Sequence, residues 1–134
     1  MVWYLLPMGT FQKRVRISNP QSAHKFFEEP FWVDTGALYT FVPEQRLHEI
    51  GVKPKFTRDF LLADGRKETR PVGEAVLKIE GIDDEISCLV VFGPADSLFL
   101  LGATALENFG VDADPVNRTL KPIIAIVGGH LTSR

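Results

Sequence analysis

Phe31-Trp-Val-Asp34-Thr35-Gly36-Ala37 is the stretch on which the reading of this 134-residue chain turns. An acid follows directly on a hydrophobic run of strand character, and it stands on a turn whose glycine permits close backbone approach. At average usage of roughly one in twenty for Asp and Thr and about 7% for Gly, an Asp-Thr-Gly triplet arises by chance in about 2% of chains this long. The triplet therefore needs a companion. It has one in Leu98-Phe-Leu-Leu101-Gly102, a hydrophobic run ending in glycine. Behind that run, Thr104-Ala-Leu-Glu107 has capping-box spacing, the Thr104 hydroxyl meeting the Glu107 amide, which predicts a short helix stopped at Gly110.

Around these two stretches the hydrophobic period is mostly two. Phe11, Val15 and Ile17 alternate with Gln12, Arg14 and Arg16, a half-buried strand ended by Ser18-Asn-Pro-Gln-Ser22. Phe26-Phe27 and Phe31-Trp-Val33 are separated by Glu28-Glu-Pro30, and the proline removes a ladder donor, so an irregular or edge strand is expected. Thr40-Phe-Val42 leads into a helix of about two turns, with Pro43 at its first position, Gly51 past its end, and Leu47 and Ile50 facing the core. Phe60–Ala63 and Lys67–Arg70 flank Asp64-Gly65, which reads as a two-residue hairpin turn with a polar tip. Ala75–Glu80 and Ile86–Phe92 form a further pair around Gly81-Ile-Asp-Asp-Glu85, with Cys88 as core filler. Asp114–Arg118 is a turn between Val111–Ala113 and Thr119–Lys121, and a β-branched run, Ile123–Val127, follows. The expectation is a single all-β domain over residues 1–134 with two short helices. Met1–Pro7 lies outside the pattern, as a dispensable extension with no export signal.

Composition narrows the function. Fifteen Lys and Arg against 17 Asp and Glu leave a formal charge of -2, too little field to wrap nucleic acid or hold an anionic membrane. No run approaches the roughly 20 apolar residues of a membrane span. A hydrophobic content of 45% with ten Phe excludes disorder as the default state. One cysteine cannot close an internal disulfide, which fits a reducing, cytoplasmic setting. His24, His48 and His130 lack zinc-ligand spacing, and Asp83-Asp-Glu85 lacks the spaced oxygens of a calcium loop. No metal or cofactor is expected. Trp3 and Trp32 are read as packing aromatics.

Taken in order, with an Asp-Gly-tipped hairpin between the two motifs, the chain resembles the retropepsin-like aspartic proteases, the single-domain relatives of pepsin, over most of its length. It is most similar to small bacterial and archaeal members in Met8-Gly-Thr-Phe11, Pro71-Val-Gly-Glu-Ala75, Leu101-Gly-Ala-Thr104 and Val111-Asp-Ala-Asp-Pro-Val-Asn117. The resemblance implies a closed, barrel-like acid-protease fold assembled as a homodimer whose interleaved termini share a sheet. It makes Asp34 the catalytic aspartate of an endopeptidase acting on peptide or protein substrates. Thr35 would reach across to the partner's loop, Gly36 and Ala37 would lie beside the substrate backbone, and Ala63, Asp64 and Gly65 would tip a flap. Leu100, Leu101 and Gly102 form the second motif.

One motif per chain agrees with the chemistry. Peptide hydrolysis by this route needs two carboxylates sharing a proton, one activating water while the other protonates the carbonyl oxygen. A homodimer supplies the second. The chain departs from viral members, which carry an aspartate after the motif's alanine and an arginine after the second glycine. Leu38 and Ala103 stand there instead, a joint loss that is close to neutral where apolar packing fills the space. Two other readings compete: a turn role for Asp34 in which it caps its own backbone, and a non-catalytic dimeric β module that keeps the fold for peptide binding or assembly.

Overall fold

The computed structural model describes residues 10–61 and 64–124. Within them the chain is mainly β, with two short helices: β1 (Phe11–Asn19), β2 (Ser22–Val33), β3 (Thr40–Pro43), α1 (Glu44–Glu49), β4 (Pro54–Leu61), β5 (Lys67–Ile79), β6 (Glu85–Gly93), β7 (Leu100–Leu101), α2 (Ala103–Asn108), β8 (Val111–Asp114) and β9 (Thr119–Pro122). Seven strands pair in the order β1-β2-β7-β3-β6-β5-β4, and β8 and β9 form a separate ribbon. β5 is long enough to serve three neighbours. One edge pairs with β6, and the other pairs first with β4 and then, over Val76–Ile79, with β1.

The period of two sorts the apolar side chains onto two faces. Val15, Ile17, Val33, Val42, Leu77, Val90, Phe92 and Leu101 join the main core, with Leu47 of α1 and Leu106 of α2 packed into it. Their sequence neighbours Phe41, Val91 and Leu100 form a second cluster with Val72. β3, β7 and the latter half of β6 are thus buried on both faces, which explains their unbroken apolar runs. In α1 the expected inward pair, Leu47 and Ile50, is buried, and Gly51 beyond it takes φ +77°. Pro43 is the N-cap, one position earlier than expected.

Three local expectations are corrected, and of the two forms expected of β2, irregular or edge, the structure shows the edge. β2 is regular through Pro30, which lies opposite Arg14, and the pairing with β7 comes later, at Trp32 and Val33. The Arg14 backbone turns toward Glu80, its carbonyl accepting the Glu80 amide at 2.9 Å and its own amide donating to Glu80 Oε1 at 3.1 Å. Arg14 and Pro30 are therefore a non-hydrogen-bonded pair, and the missing proline amide falls on the outer edge, where no ladder bond is lost. Likewise Lys67–Arg70 and Ala75–Ile79 belong to one strand that continues through Pro71, opposite Thr57. Among the described residues the last β4–β5 pair is Leu61 and Lys67, and Arg66 is outside the ladder, so the turn is longer than the two residues Asp64 and Gly65. Among the described residues there only Gly65, at +89°, has positive φ, while Asp64 accepts the Arg66 amide at 3.0 Å. Finally, α2 has Gly102 as its N-cap and no side-chain cap; Thr104 lies inside the first turn.

The turn at Asp114 holds as read, its carboxylate accepting the Val116 and Asn117 amides at 3.1 Å each. Ile123 and Ile124 are exposed after β9. The rest of the Ile123–Val127 run, Met1–Pro7 with Trp3, Ala63 and His130 lie outside the described residues. No helix among the described residues is long and apolar enough to cross a membrane.

Candidate active site

β2 reaches the site alongside β7, to which it is parallel, with Trp32 opposite Leu100 and Val33 opposite Leu101. The ladder gains one more rung where the strand ends, the Asp34 amide donating to the Leu101 carbonyl at 3.0 Å. The chain then turns sharply. The Gly36 amide donates to Asp34 Oδ1 at 2.8 Å and the Ala37 amide to the Asp34 carbonyl at 3.2 Å. This is the turn-capping bond that an aspartate before glycine commonly makes. Its burial goes beyond that role: Asp34 is 2% exposed, and a turn cap loses nothing by staying in water, whereas a buried carboxylate carries a desolvation cost that needs another reason.

The second motif is fastened to this loop residue by residue. Leu101 accepts from Asp34. The Gly102 amide donates to Thr40 Oγ1 at 3.1 Å, the Ala103 amide to the Ala37 carbonyl at 2.7 Å, and the Thr104 amide to the Leu38 carbonyl at 3.0 Å. The first amides of a helix have no partner inside it. Here carbonyls of the Asp34 loop take that role, which is why α2 needs no Ser, Thr or Asp cap. Gly102 is required by proximity, since an added Cβ would overlap the Tyr39 carbonyl and lie 2.9 Å from the Ala37 oxygen.

The two sequence motifs, Asp34–Ala37 and Leu100–Gly102, are therefore brought together. Thr35 and Gly36 are exposed beside the buried carboxylate, and Ala37, Leu100, Leu101 and Gly102 are buried. Leu38 does not fill the space that the missing ion pair would leave: it is 62% exposed, and Ala103 is half-buried. Asp64 and Gly65 sit exposed at the hairpin tip, where Arg66 pairs with Asp64 at 2.7 Å and holds its carboxyl below the ordinary carboxylate range through backbone and side-chain hydrogen bonds. The same hairpin is tied to the site lower down, Phe60 packing edge-on against Tyr39 and Phe41 at centroid distances of 5.9 and 5.3 Å. Sequence reading missed Thr40, Tyr39 and Phe60. Only their polar or aromatic character in a strand context marks them, and it does not name their partners.

The ordinary roles expected of Cys88, as core filler, and of the Asp83–Glu85 run, as a solvated turn, agree with the structure. Cys88 is buried, and desolvation pushes its thiol up. His24 and His48 are exposed, as are Asp83, Asp84 and Glu85. Among the described residues no three His, Cys, Asp or Glu side chains gather into a metal-holding group.

Residues 26–105, more than half of the chain and both motifs, match the family model described as aspartyl protease. The chain belongs to this aspartyl protease family, which lies in the pepsin-like and retropepsin clan. No curated protein matches it.

Proposed function

We propose that the chain is an aspartic endopeptidase that works as a homodimer, with Asp34 of each copy facing a shared water. The observation that carries this reading is the buried Asp34 carboxylate, held at Oδ1 by the Gly36 amide on a loop fixed by the second motif, within a chain of the aspartyl protease family. Each chain contributes one such loop. A two-fold axis through paired loops brings two Asp34 carboxylates together by symmetry alone. One carboxylate takes a proton from the water as it attacks the peptide carbonyl, and its protonated partner donates to the carbonyl oxygen. Thr35 reaches the opposite loop, and Gly36 and Ala37 lie along the substrate backbone. The ring of strand pairings that returns from β5 to β1 is read as the family's closed barrel, and the hairpin with Ala63, Asp64 and Gly65 at its tip as the cover that excludes water from the reacting bond.

The experiment is cleavage of a randomised peptide mixture by the wild-type chain and by Asp34→Asn, at mildly acidic and neutral pH. Asn keeps an oxygen for the Gly36 amide but cannot take a proton from water, so the variant folds and cleavage vanishes. Excess Asp34→Asn chains, given time to exchange, lower wild-type activity through mixed dimers. Cleavage by clean Asp34→Asn sinks the assignment, and activity per wild-type chain that stays constant under both dilution and mixing sinks the shared site.

A further inference from the structure

Four consecutive residues, Leu101 to Thr104, bond to the Asp34 loop, and three of the four bonds join backbone to backbone. The exception is Gly102. The Tyr39 carbonyl, the next one along the loop, sits against the Gly102 α-carbon rather than in front of its amide. A backbone acceptor is therefore not in place for that N–H, which would be left buried without a partner at a cost of about 1–3 kcal/mol. The side chain of Thr40 meets it. Thr40 is 1% exposed, its Oγ1 accepts the amide at 3.1 Å, and its own backbone is held in β3, opposite Val90 of β6. The hydroxyl thus joins the end of the Asp34 loop to the start of α2 from a strand buried on both faces.

We infer that Thr40 is the positioning residue of the site: its hydroxyl fixes the spacing between the Asp34 loop and Gly102, and through that spacing the direction of the Asp34 carboxylate. The inference rests on the protease reading above for its catalytic consequence, and on the loop geometry alone for its structural one. With the bond gone, the loop keeps Asp34 N–Leu101, the two rungs on α2 and the β3 pairings of Thr40 with Val90 and Phe41 with Leu100, but loses the hydroxyl tie that sets its distance from Gly102. The Gly36 amide and Asp34 Oδ1 then share a loop whose spacing from Gly102 is less closely set. Displacements near 1 Å of a reacting group cost about 100-fold in rate, so a loss in turnover is expected without a matching loss in substrate binding.

The test compares Thr40→Val, which keeps the shape and removes the acceptor, with Thr40→Ser, which keeps the acceptor and removes a methyl group. Thr40→Cys carries a weak acceptor and serves if the valine variant does not fold. For each, kcat and KM per folded chain are measured on a peptide that the wild type cleaves, and the Gly36 and Gly102 amide proton shifts are read by NMR. The valine variant is expected to lose about tenfold or more in kcat with KM within about twofold, and both amide protons move upfield. The serine variant stays within about threefold and keeps the wild-type shifts, and the cysteine variant falls between. A folded valine or cysteine variant with wild-type kcat and an unmoved Gly36 proton, lowered only in melting temperature, overturns the inference. So does a serine variant as damaged as the valine one, because packing rather than the hydroxyl would then matter. A wild-type chain that cleaves no peptide removes the protease reading instead, and the two amide shifts still decide whether Thr40 sets the loop.

Discussion

Gly102→Ala is the smallest change that tests how the two motifs are joined. At φ -92° and ψ 175° the backbone there is open to any residue, so the substitution meets no conformational penalty and its cost is steric. The new methyl group overlaps the Tyr39 carbonyl oxygen and lies 2.5 Å from the carbonyl carbon and 2.9 Å from the Ala37 oxygen. All three are backbone atoms, so no side chain rotates away. Relief requires α2 and the Asp34 loop to separate, which stretches the bonds of Gly102, Ala103 and Thr104 to Thr40, Ala37 and Leu38. At about 1 kcal/mol for each net hydrogen bond the loss is about 3 kcal/mol, offset by about 0.5–1 kcal/mol because alanine restricts the unfolded chain. The expected destabilisation is about 2–3 kcal/mol, a fall in Tm of about 6–12 °C at this chain length. Urea unfolding monitored by tryptophan fluorescence measures it. Gly65→Ala is the comparison: its φ of +89° is strained for alanine, but among the described residues no atom beyond its chain neighbours lies within 4 Å of the new methyl, so a backbone cost of about 1–2 kcal/mol is expected. A Gly102→Ala variant destabilised by less than about 1 kcal/mol would refute the argument that this glycine exists for the contact.

Thr104→Ala is expected to change stability by less than about 0.5 kcal/mol, since the amides of α2 are met by loop carbonyls; a loss of 1–2 kcal/mol, the size of a lost side-chain cap, would restore the capping box. Cys88, buried and with its thiol pushed up by desolvation, is expected to resist alkylation in the folded chain well above neutral pH and to react promptly in urea; rapid labelling of the native chain would show that β6 does not turn this side chain inward.

What sequence reading captured is what local pattern determines. The alternation in β1, the inward faces of Leu47 and Ile50, and the pairing of an Asp-Thr-Gly turn with a hydrophobic run ending in glycine all depend on residues close in the chain. What it missed depends on partners far away. Pro30 reads as an interruption until the Arg14 backbone is seen to turn toward Glu80, because only the direction of the opposite residue's amide decides whether a proline costs a ladder bond. Thr104 reads as a cap because capping-box spacing is local, yet Gly102 precedes α2 and the carbonyls of Ala37 and Leu38 arrive from the other motif. Thr40 carries no local signal, since its acceptor role exists only once Gly102 is placed beside it. Leu38 and Ala103 are visible as a departure, but the exposure of Leu38 is not: an apolar residue in sequence is compatible with burial and with a surface, and the fold leaves Leu38 on the surface and Ala103 half-buried.

The arrangement divides the region around Asp34 into a fixed part and a freer one. The Asp34 loop is bonded through Asp34, Ala37 and Leu38 to residues of β7 and α2 that are packed against the main core, so a large displacement of it would disturb that core. The β4–β5 hairpin is held differently. At its base, Arg70 donates through Nε to the Phe92 carbonyl at 2.8 Å and pairs with Glu44 and Glu68 at 3.3 and 3.4 Å, and Phe60 rests on Tyr39 and Phe41. Beyond Phe60 and Glu68 the described residues Leu61 and Asp64–Lys67 are all exposed, Leu61 at 75%, and the Asp64–Arg66 link ties the tip only to itself. Segments with few buried contacts open at low free energy while core strands open only with the whole fold. The described outer residues of the hairpin, Leu61 and Asp64–Lys67, are therefore expected to exchange their amide protons faster than those of the Asp34 loop, and equal protection of the two would refute this division. The proposed function asks for this combination: a carboxylate whose geometry survives each turnover, beneath a cover that admits and releases a chain at little cost.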